Sequence, residues 1–134
     1  MAPQGTGRLH HVELWVEDLE QSARTLGWMF EQLGYVPGDA WPTGRSWRGA
    51  GEYLVVEAGP DVEPGTHARK RPGLNHLAFH AGVREDVERL ARAAQQQGWR
   101  LMFADRHPFA GGPEHFAAYL EDAAGFEIEL VAGE

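Results

Sequence analysis

The chain has 134 residues, enough for one domain with an ordinary core, and its 43% hydrophobic and 24% charged residues exclude a disordered chain. It has no cysteine, which excludes disulfides, thiolate nucleophiles and cysteine-bound zinc or iron–sulfur centres. Twelve basic and twenty acidic side chains give a net charge of -8, the wrong sign for nucleic acid.

Leu9 to Val16 (LHHVELWV) alternates apolar and polar residues and predicts a strand with two different faces. Asp18 then offers a helix cap, with Gln21 three places on. Leu19, Ala23, Leu26, Phe30 and Leu33 follow at the spacing of one helix face, and Gly34 ends it. Short strands between turns are expected from Tyr35 to Ala58, the clearest being Tyr53–Ala58 (YLVVEA). Residues 59–73 hold three prolines, three glycines and the run Arg69, Lys70, Arg71, which reads as a solvated linker. The pattern then restarts. Leu74–Ala81 predicts a strand. Val87, Leu90, Ala91 and Ala94 predict a helix face ended by Gly98. Arg100–Ala104, Phe116–Glu121 and Phe126–Val131 predict three more strands. His11 and His76 lie 65 positions apart, Gly34 and Gly98 lie 64 apart, so an internal duplication is expected.

Strand parity gives the functional signal. Val12, Leu14 and Val16, with Leu54, Val56 and Ala58, Leu77, Phe79 and Ala81, and Ile128 and Leu130, supply a face for the helices. The opposite face collects His11, Glu13 and Trp15, then Tyr53, Val55 and Glu57, then His76, Ala78 and His80, then Glu127, Glu129 and Val131. Imidazoles and carboxylates on a concave sheet face mark a candidate metal or ligand cavity. His10 has the opposite parity and should turn to the helix layer or an edge. His67, His107 and His115 fall in loops or at a strand margin and are expected at the surface. No apolar run reaches the roughly 20 residues that span a bilayer, and MAPQGTG does not read as a signal peptide. A cytoplasmic protein without membrane or nucleic-acid partners is therefore expected.

At these residues the sequence resembles the vicinal oxygen chelate superfamily, the glyoxalase, bleomycin-resistance and dioxygenase group. HHVELWVEDLEQSARTLGWMFEQLGY is similar to that family's first strand and helix, GLNHLAFHA to the start of its second module, and DAAGFEIELV to its closing strand. The resemblance runs from about Leu9 to Ala132. It implies an α+β fold of two βαβββ modules, about 9–58 and 74–132, forming an incomplete barrel around a central cavity, usually as a homodimer. It implies a divalent metal on His11, His76 and Glu129, for which zinc, manganese, iron, nickel and cobalt are all suited. Glyoxalase I carries a further glutamate in the last strand of its first module. Glu57 has the right parity for it, while aligning Ala58-Gly59 with Ala132-Gly133 puts Val55 there. Glu57 is thus left as fourth ligand, catalytic base or neither. Glu13, Trp15, Tyr53 and His80 share the cavity face and are candidate substrate contacts. The implied activity is metal-dependent chemistry on a small substrate with vicinal oxygens, of the lyase or isomerase, dioxygenase or fosfomycin-modifying kind. The alternative is a metal-free dimer that sequesters an antibiotic or other small molecule, a role suited to the charge and to Trp15, Trp28, Trp41, Trp47 and Tyr53. Of these, Trp28 is expected in the core.

Overall fold

A computed structural model describes residues 1–133. The chain runs β1 (His11–Trp15), α1 (Leu19–Gln32), β2 (Val36–Trp41), β3 (Gly44–Arg48), β4 (Tyr53–Glu57), β5 (Leu77–His80), α2 (Arg84–Ala94), β6 (Trp99–Met102), β7 (Ala117–Asp122) and β8 (Glu127–Val131). Strand, helix, three strands thus occurs twice. Each half makes one open four-stranded sheet, ordered β1-β4-β3-β2 in sheet A and β5-β8-β7-β6 in sheet B. In both, the first strand pairs parallel with the last, and the others pair antiparallel. No helix among the described residues is long and apolar enough to cross a membrane.

Local chemistry sets the helix ends. The Asp18 carboxylate accepts the Gln21 backbone N–H at 3.1 Å, filling one of the unpaired donors of α1. Gly34, at φ 98°, then turns the chain where a side chain would be strained. In α2 the Asp86 carboxylate accepts the Val83 N–H at 3.0 Å. The four residues expected to face the core from α2 are all buried.

The buried stripe of α1 is wider than the periodicity predicts. Leu26 and Phe30 are buried as expected, and Ser22, Thr25 and Met29 join them. The cause is that α1 packs on both halves. On one side it meets Trp47 of its own sheet, whose ring lies edge-on to Phe30 with centroids 5.5 Å apart. On the other, Thr25 donates its hydroxyl to Asp122 at 2.8 Å, and its carbonyl accepts Trp99 Nε1 at 3.2 Å. A single apolar cluster therefore runs from Leu14 and Val56 through α1 to Val87, Leu120 and Leu130. Trp47, read from sequence as a ligand-groove aromatic, belongs to this core, because position 47 shares its sheet face with Leu54.

Gly27 makes the approach of α1 to sheet A possible. A Cβ there would lie 2.6 Å from Trp47 Cζ2. Trp47 cannot yield cheaply, since it is buried and its Nε1 is tied to Glu31 at 3.1 Å. Alanine would gain about 1 kcal/mol of helix propensity against an overpacking cost of about 1–3 kcal/mol. Gly27→Ala is expected to lower stability by up to about 2 kcal/mol, read as a fall in the urea midpoint with unchanged slope. A more stable variant would show that α1 shifts freely.

Candidate metal and ligand site

The two sheets each turn a polar face away from the helices, and the sequence-predicted residues are divided between them. Sheet A carries a pocket of about 700 Å³ lined by His11, Glu13, Asp39, Trp41, Arg48, Glu52, Tyr53 and Val55, among others, with no residue from sheet B. The His11 ring stacks on Tyr53, its partner in the ladder, with centroids 4.7 Å apart. Its Nδ1 lies 2.8 Å from Nδ1 of His10. His10 is exposed beside His11 just ahead of β1, at the edge and not in the helix layer, the second of the two places its parity allowed. Trp15 is 49% exposed and donates its Nε1 to Glu13 at 2.7 Å. Across the rim, the Tyr35 hydroxyl donates to Glu52 at 2.5 Å, and burial, then that carboxylate, push its pKa up to about 12.

Glu57 ends β4. It accepts Trp41 Nε1 at 2.8 Å on one oxygen and the Thr43 hydroxyl at 2.6 Å on the other. The Thr43 bond, then the Trp41 bond, hold its carboxyl below the ordinary range. The register also fixes its counterpart in the second half. Val12 pairs with Leu54 and Leu77 with Ile128, so Val55 occupies the position of Glu129, and Glu57 that of Val131.

Sheet B brings a different group together. Glu129 lies in β8, between β5 and β7, and is 6% exposed. His76, just ahead of β5, places Nε2 at 3.0 Å from Glu129 Oε1. The other oxygen is taken by His115 Nε2. Tyr119, opposite Glu129 in the ladder, turns its hydroxyl to the same carboxylate. Burial pushes the Glu129 carboxyl up, but the bonds from His115, Tyr119 and His76 outweigh it and hold the pKa below the ordinary value. Burial first, then the Glu129 charge, push the Tyr119 hydroxyl up to about 12. His115 is therefore a site residue that its loop-margin position concealed.

The polarity of His76 is set by its neighbour. Asn75 donates its amide N–H to the Arg69 carbonyl at 3.0 Å, which leaves its oxygen facing His76 Nδ1 at 2.7 Å. Nδ1 must then carry the ring proton. A neutral His76 so held turns a bare Nε2 lone pair toward a carboxylate oxygen, two acceptors face to face. A positive centre at Nε2, a proton or a metal ion, makes that contact favourable. A carbonyl-type oxygen on the remote nitrogen is the usual outer partner of a metal-ligating imidazole. His76 and His115 sit on opposite oxygens, and no three His, Asp or Glu side chains among the described residues surround one point. The donor set of two imidazoles and an ionised carboxylate suits a divalent cation.

The linker is not a free solvated loop. Arg69 lies 3.5 Å from both Glu121 and Glu127, clamping it onto sheet B. Glu127 is buried, and desolvation pushes its carboxyl up. His80, exposed at the end of β5, faces neither polar pocket centre; it lines a seam of about 610 Å³ between the halves with Tyr35, Leu54 and Phe79.

Three comparisons bear on this arrangement. Residues 10–119 match the family described as the Glyoxalase/Bleomycin resistance protein/Dioxygenase superfamily. The uncharacterized protein YqjT of Bacillus subtilis (strain 168) is 44% identical over 126 residues, covering 92% of this chain and 98% of that protein. A crystal structure from Bacillus halodurans, provisionally called a glyoxalase, superposes with a TM-score of 0.90 at 43% identity, covering 96% of this chain and 97% of that one. A glyoxalase/bleomycin resistance protein from Albidiferax ferrireducens T118 shares the fold at 23% identity, with a TM-score of 0.74 over 94% of this chain and 98% of that one.

Proposed function

Because the chain belongs to the Glyoxalase/Bleomycin resistance protein/Dioxygenase superfamily, we propose that it is a divalent-metal enzyme acting on a small substrate with two vicinal oxygens. The bound metal would supply Lewis-acid stabilisation of the negative charge that develops on those oxygens. His76 and Glu129 are its anchors. The reading is carried by Glu129, a buried carboxylate held in its ionised form, with Nε2 of His76 3.0 Å from one oxygen and Nε2 of His115 on the other.

The remaining residues have separable tasks. Tyr119 holds one face of the Glu129 carboxylate and keeps it ionised. The pocket of sheet A, with Tyr53 and Trp41 as flat surfaces and Arg48 as its cation, takes the body of the substrate. Sheets A and B of one chain present these halves separately. Closure by a second chain, sheet A of one copy over sheet B of the other, would bring His11, Glu13 and Trp15 to the metal and explains the exposure of Trp15.

The sheet A pocket also favours a second reading. Glu13, Asp39 and Glu52 surround Trp41 and Tyr53 there, chemistry that holds a cationic aromatic molecule without a metal. Metal analysis separates the two. Protein purified without a histidine tag and supplied with zinc, manganese, iron, nickel or cobalt is expected to retain one ion per chain. Its melting temperature should rise, since a ligand at 100 times its dissociation constant adds about 2.7 kcal/mol. No retained metal and an unmoved melting temperature would overturn the enzyme reading in favour of sequestration.

A further inference from the structure

The ladders of sheet A line up one row of four residues. Trp15 pairs with Glu57, Glu57 with Gly44, and Gly44 with Trp41. Residues paired across a sheet turn their side chains to the same face, here the polar face that carries the pocket of about 700 Å³. Gly44 is the gap in the row. A Cβ there would overlap Cζ2, Cε2 and Nε1 of Trp41, so the indole occupies the space over Gly44. Its Nε1 donates across that gap to Glu57 at 2.8 Å.

The groups around this carboxylate fix it in turn. Its second oxygen accepts the Thr43 hydroxyl at 2.6 Å. A Cβ on Gly59 would lie 2.7 Å from that oxygen, so a side chain at position 59 would push on the carboxylate. The Thr43 carbonyl accepts the Ala58 N–H at 2.7 Å, which ties the end of β4 to the turn between β2 and β3. The Arg45 guanidinium donates to the carbonyls of Trp41 and Gly44 at 2.9 and 2.8 Å and closes the same turn. Both oxygens of Glu57 are thus occupied by neighbours. Trp41 lines the pocket and Glu57 does not. An indole whose N–H is taken by a carboxylate offers a ligand its ring and not its donor.

We propose that Glu57 is a positioning residue for Trp41: it holds the indole over Gly44 as a fixed panel of the sheet A pocket, which takes a flat aromatic part of the ligand. The proposal rests on the reading of that pocket as the place for the body of the substrate, with or without a metal. It gives Glu57 neither of the roles that parity suggested, fourth ligand or base, because both of its oxygens are held behind Trp41. A ring fixed in advance spares the ligand the cost of ordering it on arrival.

The test uses N-methylquinolinium, a flat cationic ring chosen because Glu13, Asp39 and Glu52 outnumber Arg48 in the pocket. Binding to the full chain is titrated by the indole N–H signals of isotope-labelled protein, the Trp41 signal being the one missing from Trp41→Phe. The probe should move that signal in the wild type. Glu57→Ala is expected to shift it before any probe is added and to weaken binding by about 5–10-fold, the cost of ordering one freed side chain. Glu57→Gln keeps an oxygen for Nε1 and should stay within about twofold of wild type. In Trp41→Phe, which keeps a ring but has no N–H, adding Glu57→Ala should change binding no further. A purely structural role for Glu57 would not produce that coupling, and melting temperatures near the wild-type value will show that each variant folds. Equal binding by wild type and Glu57→Ala, or a loss on Glu57→Ala that persists undiminished in Trp41→Phe, would overturn the proposal. A zinc affinity that falls with Glu57→Gln would also overturn it, by making the residue a ligand. A wild type whose Trp41 signal ignores the probe would overturn the pocket reading as well.

Discussion

Glu129→Gln is expected to lower divalent-metal affinity by at least about 100-fold and to abolish any metal-dependent turnover, with the fold intact. The glutamine amide has the shape of the carboxylate and keeps one oxygen that can accept a hydrogen bond. It cannot supply the negative charge that offsets the cation. Burial alone would push the Glu129 carboxyl up, yet His115, Tyr119 and His76 together hold it down, so the ionised form is the one the fold is built around. The pH dependence follows from that sign. A carboxyl whose folded pKa is depressed contributes stability that is present above its unfolded pKa, near 4.3 for a free glutamate, and is lost as pH falls through the folded value. The wild type should therefore lose melting temperature on the acid side faster than Glu129→Gln, and the two curves should run parallel at neutral pH. Apo-protein melting curves and zinc competition with a chromophoric chelator measure both effects. Undiminished zinc affinity in Glu129→Gln would remove this residue from the site.

The sequence made the repeat legible because each half carries its own short-range signals. Alternation marked β1 and β5, Asp18 and Gly34 marked the ends of α1, and Val87 to Ala94 marked the buried face of α2. Two members of the cluster on sheet B, His76 and Glu129, stood out by parity, since a two-residue period places them on the face opposite Leu77 and Leu130. What escaped was long-range. Thr25 looks like a solvent position of α1 and is buried against Asp122 and Trp99 of the second half. His115 looks like a loop histidine and reaches Glu129 only because residues 103–116 fold back over Tyr119, with Gly111 admitting the close approach. Arg69 reads as part of a basic linker and is an ion-pair partner of Glu121 and Glu127 on sheet B. The unequal spacing of the second and third strands in the two halves was the available signal for the loop.

The second large effect concerns the junction that holds the two halves together. Asp122 ends β7 and is 5% exposed. One of its oxygens accepts the backbone N–H groups of Ala124 at 3.1 Å and Phe126 at 3.0 Å, forming the β7–β8 turn. The other accepts the Thr25 hydroxyl of α1 at 2.8 Å. One side chain thus shapes the hairpin that carries Tyr119 and Glu129 and fastens it to the first half. Asp122→Ala strands the buried Phe126 N–H, frees the part-buried Ala124 N–H and leaves the Thr25 hydroxyl only the long contact to Gln21, and is expected to cost about 2–4 kcal/mol of unfolding free energy. Asp122→Asn is the informative companion. Its amide oxygen can still accept both N–H groups, and its N–H₂ can donate to the Thr25 hydroxyl, which can turn toward the Gln21 carbonyl at 3.4 Å. Burial, the dominant influence, pushes the Asp122 carboxyl up despite these bonds, so its charge is a burden that asparagine removes. A carboxyl with a raised folded pKa favours the fold below its unfolded value, near 3.9 for a free aspartate, and that advantage is lost as pH rises through the folded value. Asp122→Asn should therefore lie within about 1 kcal/mol of wild type at pH 7, and compare less well at pH 4, where more of the wild-type carboxyl is protonated than at pH 7. Urea unfolding of both variants at the two pH values measures this. An Asp122→Ala protein as stable as wild type would show that the contact with Thr25 and the turn bonds do not hold the halves together.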